Sequence, residues 1–216
     1  MADIATQVPV HPDAVVYVFR HGHAAQSANG DTGDLERFLS EKGLAQSAQL
    51  GQTIAALGVV FDQIACSAAP RSQKTALEAA KHFTMYKTNW YDGKGRELYG
   101  PASDDDFATM WALTHEIERK FMANEIQSAM SYAAFKEADT TEFFQRFMNE
   151  TRGVFRSIPD IARARRIAIF DHAVIGNAVA EALFPQHAEM LDTIELAPCD
   201  CIRLTTTSCQ HIPLMT

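Results

Sequence analysis

Val15-Val16-Tyr17-Val18-Phe19, followed at once by Arg20-His21-Gly22-His23, is the stretch that decides the fold. Five β-branched or aromatic residues with no polar alternation read as a strand buried on both faces, the pattern of a parallel sheet. Gly22, Asn29, Gly30 and Gly33 mark a loop after it. Two more runs read as strands, VVFDQIAC at 59–66 and, buried like the first, RIAIF at 166–170. Between the first two, Ser40 has the chemistry of a helix cap, and Leu44, Ser47, Ala48, Gly51, Ile54 and Ala55 fall on or near one face before Gly58 stops the helix. Pro70 suits the first turn of a helix reaching about residue 82, and an apolar helix over 174–183 ends at Pro185. CIRLTTT, 201–207, reads as a last strand near an edge. Strands alternating with helices predict an α/β fold with a mainly parallel sheet.

The middle of the chain is less regular. TMYKTNWYD, from residue 84, has room for a short strand, and Gly93, Gly95 and Gly100 interrupt it. Ser103 with three aspartates behind it is a helix start, because acidic groups favour the positive end of the helix dipole. Phe107, Met110, Trp111, Thr114, Ile117 and Phe121 follow at helical spacing. Another helix is expected over 142–155, with Phe143, Phe144, Phe147 and Phe155 as a core-facing stripe. Residues 1–216 are expected to form a single domain, with a flexible segment over 1–13 and a helical insertion over about 103–157 covering the active-site edge.

Bulk composition narrows the function. The 216 residues are 47% hydrophobic and 21% charged, which suits a globule with a real core. A net charge of −8, from 27 acidic and 19 basic residues, gives no general attraction for nucleic acid or an anionic membrane. Any anion site must therefore be a local concentration of positive groups. No secretion signal and no run of ~20 apolar residues is found, so a cytoplasmic location is expected. Cys66, Cys199, Cys201 and Cys209 match neither a zinc spacing nor a disulfide framework and read as free thiols.

The chemistry lies in the residues at each strand's exit. After the first strand come Arg20-His21-Gly22-His23, after the second Ser67-Ala68-Ala69-Pro70-Arg71, and after the third Asp171-His172. Parallel strands point their C-terminal ends to one edge, where ligands bind. Arg20, His21, Arg71 and His172 are therefore predicted to converge. Their charge suits a dianionic phosphoryl group, whose oxygens match the planar fork of arginine.

VYVFRHGHA resembles the RHG signature of the histidine phosphatase superfamily, the phosphoglycerate-mutase-like enzymes. The resemblance continues in DLERFLSEKGLAQSAQLG (34–51), ACSAAPRSQKTA (65–76) and FDHAVIGNAVAEAL (170–183). It implies a three-layer α/β/α fold and a phosphatase that needs no metal or other cofactor. It also implies His21 as the nucleophile that becomes phosphorylated, with Arg20, Arg71 and His172 binding the phosphoryl oxygens. Arg37, in Arg37-Phe38-Leu39-Ser40-Glu41-Lys42-Gly43, sits where many relatives have a further arginine. Glu97 in RELYG is the candidate proton donor, with Asp92 and Asp104, Asp105 and Asp106 as competitors. The ELYG string is nearest the small phosphohistidine-phosphatase-like branch. The expected partner is a small phosphorylated substrate or a phosphohistidine protein.

The sequence departs from the family pattern at His23, where an acid or amide is commoner, and at Asp171-His172-Ala173 in place of Ser-His-Gly. Three rival readings stand beside the phosphatase. A mutase lacks support in RHGHAAQSANG, which has no extended mutase string. A metal hydrolase would read His21, His23, Asp171 and His172 as ligands, against the repulsion of two arginines. A phosphate-binding relative without turnover would keep the same pocket.

Overall fold

Alternation along the strands sorts the core into two layers. The computed structural model describes residues 10–26, 37–67, 69–83, 104–158 and 161–214. In β1 (Val15–Arg20) Val16 and Val18 face one layer, while Tyr17 and Phe19 face the other. β3 (Arg166–Asp171) repeats this, with Ile167 and Ile169 on the first side and Ala168 and Phe170 on the second. In β2 (Gln63–Cys66), Ala65 joins the first layer and Ile64 the second. A strand with both sides buried has no polar face to show, which is why 15–19 and 167–170 read as unbroken apolar runs.

Two helices close the second layer. α1 (Glu41–Ala56) starts at Ser40, whose side chain accepts the Gly43 N–H at 3.1 Å. It supplies Leu50 and Ile54 to the core and ends before Gly58, which has a φ of 63°. α2 (Pro70–Ala80) opens on proline and buries Ala76 and Ala79. The first layer is covered by α3 (Asp104–Met122), α4 (Tyr132–Ala138), α5 (Phe143–Ser157) and α6 (Ala173–Leu183), with the single turn α7 (Ala188–Leu191) after them. The phenylalanine stripe of α5 is buried as expected. The region expected to be one insertion contains three helices, of which the short α4, capped by Ser131 and anchored by Tyr132 and Phe135, has no counterpart in the sequence reading.

The sheet order is β2-β3-β1-β4-β5. β2, β3 and β1 run parallel, whereas β4 (Cys201–Leu204) is antiparallel to β1 and β5 (Cys209–Ile212) antiparallel to β4. The sheet is mostly, not wholly, parallel. The run 201–207 lies next to an edge as expected, but it is not the last strand. It leaves the sheet after Leu204, turns where the Thr205 N–H donates to the Ser208 carbonyl at 2.8 Å, and returns as β5, one of the two edges. β5 escapes sequence reading because it is four residues long and largely exposed, so it carries no apolar run.

Candidate active site

Strand register creates the site. Arg20 lies opposite Asp171 and Cys66 opposite Phe170, so the chain leaves all three parallel strands at one level. Backbone bonds extend the ladder one step further. The His21 N–H donates to the Asp171 carbonyl at 2.7 Å and the Ser67 N–H to the Phe170 carbonyl at 2.9 Å. His21, Ser67 and His172 therefore emerge side by side, and the two imidazole rings meet edge to face with centroids 5.1 Å apart.

His21 is buried, with 8% of its surface exposed. Its Nδ1 is 2.7 Å from the Gly22 carbonyl, an acceptor only, so Nδ1 carries the hydrogen and Nε2 keeps its lone pair. The Arg71 Nε–H donates to that Nε2 at 3.2 Å. Burial is the largest cause that holds His21 well below an ordinary histidine, at about 3, with Arg71, Arg20 and Arg37 adding to it and the Gly22 hydrogen bond opposing. The ring is neutral at physiological pH. His172 is held well below the usual histidine range by burial and by Arg71, His21 and Arg20. Its Nε2 is 3.0 Å from Ser67 Oγ, and its side chain keeps 16% exposure, enough to be reached from the pocket.

The arginines are fixed by different elements. Arg71, 6% exposed, belongs to the first turn of α2, and its carbonyl accepts from Thr75 Oγ1 at 2.8 Å. The same Oγ1 accepts the Gly22 N–H at 3.0 Å, so α2 and the loop after β1 are tied through one hydroxyl. The Arg20 Nη1–H donates to the Leu196 carbonyl at 2.5 Å. The Arg20 main chain is clamped by the segment before β4, since its N–H donates to the Asp200 carbonyl (3.0 Å) and its carbonyl accepts from the Cys199 N–H (3.1 Å). Cys199 adopts a left-handed backbone with φ 67°, uncommon for a residue with a side chain, to make that contact. The Asp200 carboxylate, buried, accepts from the Ala197 and Leu214 N–H groups and lies 2.8 Å from His211 Nε2. Burial lowers the Arg20 pKa and Asp200 offsets part of that effect.

Two glycines allow the loop after His21 to lie on α1. A Cβ at Gly43 would fall 2.1 Å from the His23 carbonyl oxygen, and one at Gly22 would fall 2.6 Å from the Gly43 carbonyl oxygen. Both neighbours are backbone, so neither can yield cheaply.

Arg20, His21, Arg71 and His172 are thus brought together. Arg37 stands close enough for its charge to act on His21 and Arg20, while its Nε–H donates to the Ala25 carbonyl at 2.7 Å. His23 is exposed, with its Nδ1 2.8 Å from Ser40 Oγ, and belongs to the loop rather than the pocket. Glu97 and Asp92 lie outside the described residues, as do the side chains of Asp104, Asp105 and Asp106 at the start of α3. Ala173 opens α6 and is buried. Among the described residues no group of three or more His, Cys, Asp or Glu side chains is arranged to hold a metal ion. The described cysteines are all free. No described helix is long and apolar enough to cross a membrane. The supports of the site that sequence reading leaves unassigned are Asp200, Cys199 and Thr75. Only Thr75 has a signal, its place in the Ser-x-x-x-Arg-x-x-x-Thr-Ala string.

Two histidines flanked by arginines at the C-terminal ends of three parallel strands define the site of an α/β protein. The chain belongs to the histidine phosphatase superfamily (branch 1), whose family model matches residues 16–213. No curated protein sequence matches it significantly. Among solved structures it is similar to the α-ribazole phosphatase of Shigella flexneri, at 16% identity and TM-score 0.55, covering 93% of this chain and 96% of that one. It is also similar to the protein histidine phosphatase SixA in complex with tungstate, at 13% identity and TM-score 0.52, covering 93% and 97%. A mycobacterial glucosyl-3-phosphoglycerate phosphatase gives 14% identity and TM-score 0.53, covering 94% and 100%. At these identities the likeness is one of fold.

Proposed function

We propose that the protein is a phosphatase that works without a metal and passes through a phosphohistidine on His21. The observation that carries this reading is the Nε2 lone pair of a buried, neutral His21, aimed toward Arg71 and flanked by His172. In the first step Nε2 bonds to phosphorus as the bond to the leaving atom breaks, and that atom departs with its electron pair and takes a proton. Water then attacks the phosphohistidine, which releases inorganic phosphate and restores the neutral ring. Splitting hydrolysis into two displacements lowers each barrier. Phosphoryl transfer asks mainly for in-line positioning and for neutralisation of the equatorial oxygens. An incoming phosphoryl oxygen takes over the Arg71 donor that meets His21, and Arg20, Arg37 and His172 supply the remaining charge and hydrogen bonds.

Glu97 is proposed as the proton donor to the leaving atom, and the helical segment α3–α5 as the wall that selects the leaving group. The small phosphohistidine-phosphatase-like branch is favoured by the ELYG string, which makes a phosphoramidate or a phosphomonoester the substrate class. The test is hydrolysis of an aryl phosphate by wild type and His21→Ala, both in EDTA, with trapping of the phosphoenzyme. Activity lost only in the variant, with an acid-labile phosphoryl group in the wild type, is the expected result. Equal activity in both, or loss of wild-type activity in EDTA, overturns the reading.

A further inference from the structure

Asp171 is the position where the site is chemically at odds with its own task. A pocket that gathers positive charge for an anion has, directly beneath it, a carboxyl with no solvent exposure. One oxygen, Oδ1, accepts the His172 N–H at 2.8 Å and lies 3.9 Å from His172 Nε2. The other, Oδ2, is buried and has no hydrogen-bond partner among the described residues. The same corner holds two more such atoms, Arg20 Nε and His172 Nδ1. Buried polar atoms are normally paired, and a buried carboxylate is the costliest to leave unpaired.

The groups around Asp171 can be named element by element. β1 presents Arg20, its register partner, and after it His21. β2 presents Cys66, whose thiol is pushed up to about 11 by burial and by Asp171. α2 presents Arg71, whose charge favours the ionised form of Asp171. His172 follows it in sequence, and α6 presents Gly176, whose position opposite the Asp171 side chain brings no charge. Burial outweighs Arg71 and the His172 N–H, and pushes the carboxyl up to about 7. Proton and anion therefore share the same arginine charge.

We propose that Asp171 determines the affinity of the site for dianions, by taking up a proton when the dianion binds. When protonated, the side chain leaves the field of Arg71 to the ligand. When ionised, it competes for that field and repels the ligand. The proton comes from solvent and returns to it when the anion leaves. This inference rests on the phosphoryl-site reading of the pocket.

Inorganic sulfate is the probe, because its charge does not change near neutral pH and phosphate's does. Its binding to the full-length wild type and to Asp171→Asn is followed by calorimetry from about pH 6 to about pH 9, in buffers of contrasting ionisation enthalpy. The wild-type dissociation constant is expected to rise above neutral pH by up to about tenfold per pH unit, with proton uptake approaching one. The variant is expected to give a flat profile and no uptake. A second measurement needs no variant. Infrared difference spectra of the wild type just above neutral pH should gain a protonated-carboxyl C=O band when sulfate is added. If pH dependence and uptake persist in Asp171→Asn, the proton belongs to a histidine and the inference is overturned. Absence of the carboxyl band overturns it as well. Sulfate binding with no proton uptake in the wild type removes the inference and leaves the phosphatase reading intact. No sulfate binding at any pH removes both.

Discussion

Asp171→Asn should make the protein gain stability relative to wild type as pH rises. The folded carboxyl titrates at about 7 and the ordinary value is 3.8. Because the folded value is raised, the stabilising contribution of the bound proton is complete below the unfolded value and is lost as pH rises through 7. The whole displacement corresponds to roughly 4 kcal/mol, of which about 2–3 kcal/mol is lost between about pH 5 and about pH 8.5. Asparagine keeps an acceptor for the His172 N–H, the bond made by Oδ1 at 2.8 Å. Its amide nitrogen takes the place of Oδ2, which has no described partner, at a pH-independent cost of about 1–3 kcal/mol. That cost cancels when the same pair of proteins is compared at two pH values. Urea unfolding followed by circular dichroism at about pH 5 and about pH 8.5 gives the four free energies. The difference between variant and wild type should shift toward the variant by about 2–3 kcal/mol between the two conditions. Profiles that stay parallel within about 0.5 kcal/mol would refute the claim that the fold carries this carboxyl protonated.

Arg71→Ala should lower kcat for an aryl phosphate by about 10²–10³, as loss of a well-placed donor does, with the fold retained by circular dichroism; a change under about fivefold would count against its role. His21 must be neutral to attack, and its value of about 3 places the acid limb of kcat/KM that it governs below about pH 4. Activity corrected for substrate ionisation should therefore not fall through His21 protonation between about pH 7 and about pH 5, and a limb near 6.5 that vanishes in His21 variants would contradict this. Gly43→Ala should cost at least 1–3 kcal/mol in urea unfolding, because backbone meets the new Cβ at 2.1 Å, and should lower kcat through the loop that carries His21. A fully stable Gly43→Ala protein would show that the approach of His23 to α1 is looser than described.

The parts of the site that are legible in the sequence are those where a mainly apolar strand ends in a polar, charged or imidazole side chain. VVYVF-Arg-His, QIAC-Ser and RIAIF-Asp-His each announce both the element and its exit point, and one rule about parallel sheets brings them together. The clamp on Arg20 is not legible, because it is made by main-chain atoms of Asp200 and Cys199 that any residue would supply. β5 is hidden by exposure and α4 by brevity. Asp171 stands out in the sequence as a departure from pattern, but its placement relative to the anion does not. Alternation places its side chain on the side where α6 packs, and there it is fully buried and close to the pocket through His172.

The Arg20 clamp also sets an order of events during synthesis. β1 precedes β4 by about 180 residues, yet the carbonyl that accepts the Arg20 N–H belongs to Asp200, and the carboxylate of that same Asp200 is held by His211 and Leu214. Contacts of such separation are closed late, since the loop entropy precedes the reward. A nascent chain holding β1, β2 and β3 already contains His21, Arg71 and His172 but cannot hold Arg20 in place. On the proposed function, phosphoryl binding therefore depends on the β4–β5 hairpin being docked against β1.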